Sequence, residues 1–321
     1  MIRPAFAPAA SDGINLHRVI TPAAAIPAAF LLPQNFTELP PETTHIVLTA
    51  AYADPATFKA IRETGIKIVL DIDDHWHIPP HNSRYARLQA SNYAALVPQA
   101  IKDADIVWCA SKPLLDACLP LNKNSHYIPN TYATHWQVAR SQGRRFGYVA
   151  TAADHLQDAE LMRKAFTRLG RELSTAQIGW CGMRNSDQDL KMRDLLELAG
   201  YCFMAQYLPS ASYWWHFQSM DVALAPLAPT PFNGYKSALK AIEAGATGCA
   251  LICSDQPPYS DFIHNQNCLK ATTKMDWYRH ITDLHANPSK AYDLSCSLQE
   301  YVKTMFSPED WATQRLQTLE C

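Results

Sequence analysis

Asp221 to Gly248 reads DVALAPLAPTPFNGYKSALKAIEAGATG, and the apolar run Ala250–Cys253 follows directly. Val222–Ala225 has the length and composition of a buried strand, a proline-rich loop ends it, and Tyr235–Ala244 carries a helical pattern. Strand, helix and strand in this order build a parallel sheet, because the crossover helix lets the second strand run in the direction of the first. The alternation continues outward from this unit. Upstream, strands are expected at His45–Thr49, Lys67–Leu70, Ile106–Cys109 and His126–Ile128, with helices at Pro55–Thr64, Ser91–Lys102 and Pro113–Cys118. A second set has strands at Phe146–Val149, Gln177–Cys181 and Tyr201–Ala205, with helices near Asp158–Leu173, Asp189–Leu198 and Ser210–Gln218. The polar stretch Ala139–Arg145 separates the sets. The pattern predicts an α/β chain of two facing, Rossmann-like, doubly wound domains with a cleft between them. The expected bounds are 1–140 and 141–306, with a capped helix over 307–321.

The composition agrees. A chain of 321 residues, 48% hydrophobic and 18% charged, has the length and balance of a two-domain globular protein. Net charge is -2, divided as +2 over residues 1–145 and -4 over the rest, so no strong global field announces a polyanionic partner. Nine scattered cysteines without a C-x-x-C pair give neither a disulfide framework nor a zinc site; Cys249 and Cys253 sit in apolar surroundings as small core residues. The apolar stretch Val19–Leu32 is too short to span a bilayer and is broken by Pro22 and Pro27. These features predict a cytoplasmic chain with no membrane insertion, and leave the oligomeric state open.

Two constellations carry chemistry. In the first, the strand Lys67–Leu70 runs into Asp71-Ile-Asp73-Asp74-His75-Trp76. Like charges crowded at the rim of a sheet raise one another's pKa. Metal binding, general base work or a grip on sugar hydroxyls are the tasks such a cluster performs, and a solvated turn capping the next segment is the alternative. The string also fits the start of a haloacid-dehalogenase-like phosphatase with Asp71 as nucleophile, but His75 departs from that pattern and no late Gly-Asp-x-x-x-Asp follows. The second is the stretch quoted above. A helix start at Lys236 and Ser237 offers backbone N–H groups, a cation and a hydroxyl to a phosphate or diphosphate, with Glu243 two turns along the same face.

Together with Ser254-Asp255, Pro257-Pro258-Tyr259, Phe146–Asp158, Ile128-Pro129-Asn130-Thr131 and Asp12–Pro22, these strings resemble GT-B glycosyltransferases. The bacterial and phage members related to glycosyltransferase family four are the most similar, and the resemblance touches most of the chain in order. It implies a nucleotide-sugar donor, UDP-linked, bound by the second domain, and a C-terminal helix that packs back on the first. Glu243 matches the second glutamate of the family's E-x7-E pair, which holds the ribose; the first would fall at Tyr235. Asn233 or Gly234 then holds the sugar, Tyr207 and Leu208 lie by the base, and Gly13 lets the donor phosphates approach. Lys236, Ser237 and Arg18 meet the phosphate charge as the glycosidic bond breaks, with no metal and no cofactor.

In an inverting enzyme of this kind Asp73, Asp74 or His75 takes the acceptor proton; in a retaining one the aspartates orient the acceptor. His155 is the remaining catalytic candidate. On the acceptor side stand Asp71, Trp76, Arg84 and Arg87, with Tyr85 and Tyr93 able to stack on a ring. The acceptor is open between a hydroxymethylated pyrimidine in phage DNA, with Arg84, Arg87, Arg140, Arg144 and Arg145 on its phosphates, and a glycan, lipid or small molecule. A weakly catalytic partner subunit that binds a sugar nucleotide is the reading from another class.

Overall fold

A computed structural model describes residues 2–8, 15–34, 36–136, 144–172, 176–196, 202–209 and 212–320. The chain divides into two compact units, Met1–Thr134 with Gly234–Ser237 and Phe306–Cys321, and His135–Asn233 with Ala238–Met305.

The first unit is built on a parallel sheet of β1 (Pro4–Ala7), β2 (Phe30–Leu31), β3 (His45–Thr49), β4 (Lys67–Ile72), β5 (Ile106–Cys109) and β6 (Ser125–Tyr127), in the order β2-β1-β3-β4-β5-β6. β3, β4 and β5 are runs of branched and apolar residues because both of their faces are buried. One face packs Leu48, Leu70 and Val107 against Phe58, Val97, Ile101 and Leu114 of three helices. The other packs Phe6, Val47, Val69 and Trp108 against Ala312 and Leu319 of the helix Pro308–Leu319. The Trp108 indole also donates to Thr318 Oγ1 at 2.9 Å, so this helix belongs to the first core. Asp54 starts the helix Pro55–Glu63 by accepting from Thr57 N at 2.9 Å.

In the second unit β7 (Arg145–Val149), β8 (Gln177–Met183), β9 (Cys202–Gln206), β10 (Val222–Ala225), β11 (Ala250–Ser254) and β12 (Leu269–Ala271) follow the order β12-β11-β10-β7-β8-β9, again parallel throughout. Read from its other edge this is the doubly wound order in which the winding reverses between the first and fourth strands, here β7 and β10. Phe146, Tyr148, Trp180, Leu224 and Ile252 are buried in one core with Trp277 and Leu294. The helix Leu239–Thr247 lies so close to the helix Pro288–Met305 that a Cβ on Gly245 would stand 2.5 Å from Val302 Cγ2.

Two helices differ from the sequence expectation. The pattern over Asp158–Leu173 is two helices, Ala152–Ala159 and Arg163–Glu172; Leu173 lies outside the described residues. The helix expected from Tyr235 begins at Leu239, because Gly234–Ser237 is held by the first unit. Tyr201, Ser210 and residues 139–143 of the polar stretch lie outside the described residues. No described helix is long and apolar enough to cross a membrane.

Candidate functional site

The carboxyl end of β4 sorts its three aspartates into three environments. Asp71, still on the strand and 1% exposed, accepts from Arg18 Nε at 3.0 and 3.1 Å and from Arg18 Nη2. Arg18 is itself 1% exposed, and its Nη1 donates to the carbonyl of Ile128. This buried ion pair corrects two expectations: Arg18 does not reach out to a donor phosphate, and Asp71 does not touch an acceptor. It also removes Asp71 as a phosphatase nucleophile. Asp74 Oδ2 accepts from Arg84 Nη2 at 2.7 Å. Asp73 lies between these pairs, and burial, then the charge of Asp74, pushes its carboxyl up to about 6, with Arg84 opposing.

His75 follows in a stack of three rings. Its centroid is 4.3 Å from Trp76 and 4.1 Å from Tyr235, with planes 20° and 29° from parallel. Its Nδ1 accepts from His77 N at 3.1 Å, and burial, then His77, lowers its pKa to about 4. At neutral pH the imidazole is uncharged and weakly basic, so as a proton acceptor His75 falls short of Asp73. Arg87 is exposed on the short helix Tyr85–Ala90.

Tyr235 is held in that stack by its own backbone, since Ser111 Oγ donates to its carbonyl at 2.6 Å. Two residues on, Ser237 Oγ accepts from Asn130 Nδ2 at 2.8 Å. Lys236 and Ser237 therefore precede the helix rather than open it, and Lys236 does not share a helical face with Glu243. The turn Ile128–Thr131 is fixed from inside the first unit: Ile128 and Pro129 carbonyls take Arg18 and Arg315, and the Thr131 carbonyl meets His17 Nδ1 at 2.9 Å. Gly13 lies outside the described residues.

In the second unit the crossover point between β7 and β10 is organised by one carboxylate. Asp158, 3% exposed, accepts from Ala228 N at 2.7 Å and Asn233 Nδ2 at 3.0 Å through one oxygen, and meets His155 Nδ1 at 2.8 Å through the other. Asn233 Nδ2 also reaches the Ala228 carbonyl at 2.9 Å, so the proline-rich loop is clamped at both ends. Asn233 is thereby an internal strut of the loop, 8% exposed. Leu227 N is taken by Ser254 Oγ at 2.9 Å. The helix Leu239–Thr247 starts beyond this loop with Ala238 as N-cap, no side-chain cap bond and no acidic residue in its first turn. Lys240 Nζ donates to the Val149 carbonyl at 2.6 Å, and Glu243 is 3% exposed one turn on. At the ends of β8 and β9 the Arg184 guanidinium lies 3.8 Å from the Tyr207 ring, with Leu208 half-buried beside it.

Sequence reasoning gave Asp158, Arg184 and Asn130 no role of their own. Asp158 meets His155 three positions back, but its other partners, Ala228 and Asn233, stand 70 and 75 residues away, and Asn130 finds Ser237 107 residues on, at separations no spacing rule connects.

No protein-family model matches the chain, and no curated protein matches it. Solved structures do. HepE from Anabaena in complex with UDP-glucose is similar over 100% of both chains, with TM-score 0.74 at 13% identity. Sucrose-phosphate synthase from Thermosynechococcus elongatus is similar over 99% of this chain and 98% of that one, with TM-score 0.71 at 13% identity. A glycosyltransferase from Rickettsia africae is similar over 99% and 98%, with TM-score 0.67 at 11% identity. The likeness runs the length of the chain and shows the fold: the two-domain α/β architecture read from the sequence.

Proposed function

We propose that this chain is a glycosyltransferase that moves a sugar from a nucleoside diphosphate sugar, UDP-linked, to an acceptor hydroxyl. The observation that carries the reading is the clamped crossover point of the second unit. Doubly wound sheets bind ligands outside the carboxyl ends of their strands where the winding reverses. There Asp158 holds the loop Ala228–Asn233, and a helix with an uncapped N-terminus follows. The N-terminus of such a helix and its dipole suit the two charges that grow on a departing diphosphate. Glu243, on the same helix, takes the ribose hydroxyls in this reading, and Tyr207 and Leu208 border the base. The UDP and UDP-glucose complexes of HepE support the donor class.

Asp73 aligns the acceptor hydroxyl. Its neighbour Asp74 is tied to Arg84, and His75 is enclosed by rings. Inversion would send the acceptor proton to Asp73; retention would send it to the leaving diphosphate, and the product's anomeric configuration separates the two.

The test is a thermal-shift titration with uridine, guanosine and adenosine diphosphates and their common sugar conjugates, followed by diphosphate release from each hit. Selective binding raises the melting temperature by mass action. A uridine diphosphate shift that Glu243→Ala abolishes supports the reading. No shift with any nucleotide overturns it.

A further inference from the structure

The first unit contains a cavity of about 250 Å³ whose lining includes Trp76, His77, Tyr85, Gln89, Asn92 and Tyr93. Its position follows from three separate pieces of chain. Trp76 stands two residues beyond Asp74 and is stacked on His75. The helix Tyr85–Ala90 starts from Arg84, the residue bound to Asp74 at 2.7 Å. Asn92 takes a left-handed conformation, φ 56° and ψ 32°, and so turns the chain into the helix Tyr93–Asp103 with Tyr93 on the cavity wall. Asparagine is among the few residues that adopt this conformation at modest cost. Burial, then the charges of Asp73 and Asp74, raises the Tyr93 hydroxyl pKa.

The chemistry of the walls selects the occupant. Among the lining side chains there is no lysine, arginine, aspartate or glutamate, and His77 is the one able to carry a positive charge. Aromatic faces take the C–H face of a sugar ring, and side-chain amides take hydroxyls from either direction. The volume lies below the roughly 300–1,000 Å³ of pockets that enclose drug-sized ligands, so the room is for one ring. Nucleic acid fits poorly here, because the lining offers no lysine or arginine to a phosphate and the neighbouring Arg84 is paired with Asp74.

We infer that this cavity is the acceptor subsite and that it takes one uncharged sugar ring, the end of a glycan, stacked on Trp76, Tyr85 and Tyr93 with a hydroxyl at Asp73. The inference rests on the proposed transferase activity, and its test is separable from that reading. Saturation-transfer NMR on the full chain, without donor, uses the methyl glycosides of glucose, galactose, mannose and N-acetylglucosamine and the disaccharides maltose, cellobiose and lactose as probes. At least one is expected to receive saturation on its ring protons, with affinity about tenfold weaker in Tyr85→Ala and in Gln89→Ala, a loss of about 1.4 kcal/mol. Trp76→Ala should abolish binding, and the two milder variants, on partly exposed residues, decide the matter if Trp76→Ala does not fold. The uridine diphosphate shift should persist in all three. The inference is overturned if no saccharide binds the wild type, if binding ignores these substitutions, or if a hydroxymethylcytosine duplex binds in their place and loses affinity in Tyr85→Ala. If saccharides bind through the cavity while no nucleotide does, the subsite stands and the transferase reading falls.

Discussion

The rings of His75 and Tyr235 lie face to face, 4.1 Å apart, although 160 positions separate them in the chain. The contact joins the acidic turn after β4 to the segment that precedes the helix bearing Glu243. An aromatic pair of this kind contributes about 0.5–1.5 kcal/mol beyond its burial. It also helps keep His75 neutral, by covering one face of the imidazole.

Replacing Tyr235 should therefore change an ionisation. In the wild type the folded His75 titrates near 4 against an ordinary 6.5, so the unfolded chain binds its proton first as pH falls. Stability then declines as pH drops from about 6.5 towards 4, and is unaffected by this group above that window. Tyr235→Ala admits water to the ring, so the His75 pKa rises and this part of the decline becomes shallower. NMR titration of the His75 Cε1 proton checks the first statement, and urea unfolding at pH 7.5 and 4.5 checks the second. An unchanged His75 pKa in the variant would show that Tyr235 does not shield it.

Asp73 is expected to govern the acidic limb of the reaction. Its carboxyl is held up near 6, so the ionised form that grips the acceptor hydroxyl accumulates as pH rises through 6. kcat/KM for the acceptor should climb across that range and level off above pH 7. Asp73→Asn removes the limb and lowers kcat/KM by about 10²–10⁴-fold if the carboxylate takes the proton, and by less if it only orients the hydroxyl. Nucleotide binding should remain. A variant with full activity and the same pH profile would place the acceptor elsewhere.

What the sequence made legible follows burial. β3, β5 and β10 were expected at their observed bounds, since a parallel strand enclosed on both faces has to be a short apolar run. β1, β2 and β12 escaped: Pro4–Ala7 is proline and alanine rich, Phe30–Leu31 has two residues, and Leu269–Ala271 is interrupted by Lys270. The acidic turn was visible as a charge cluster, but not the division of labour within it. That division depends on Arg18 and Arg84 approaching from other elements. The late start of the helix at Leu239 was hidden for the same reason, because Ser111 and Asn130 hold Tyr235 and Ser237 out of it.

Asp158 offers a test of the clamp on the proline-rich loop. Asp158→Ala leaves the Ala228 N–H buried without its acceptor, at a cost of about 1–3 kcal/mol, and releases His155 and Asn233 together. The expected result is a lower melting temperature and a nucleotide affinity weakened about tenfold or more, a loss of about 1.4 kcal/mol. Asp158→Asn keeps the shape and one acceptor oxygen, so it should recover most of the stability and only part of the affinity. Equal affinity in both variants and wild type would detach the loop from donor binding.

Two buried arginines of the first unit should respond in opposite ways. Arg18 is the partner of Asp71, and Arg18→Ala strands a buried carboxylate, which costs about 3–5 kcal/mol. Arg315, on the C-terminal helix, is fully enclosed with no hydrogen-bond partner for Nε or Nη1, and its guanidinium lies 5.7 Å from the Trp108 ring. Burial, then repulsion from Arg18, lowers its pKa to about 9. A folded pKa below the unfolded one means that protonation weakens the fold, with the penalty complete at neutral pH and fading as pH rises above 9. Arg315→Met keeps the packing on Trp108 and removes the charge, so it should leave stability unchanged or raise it by about 1–4 kcal/mol. Urea unfolding of the two variants at pH 7.5 reads both signs. A large loss in Arg315→Met would mean that its attraction to Asp71 outweighs its burial, and that the three side chains act as one ionic unit.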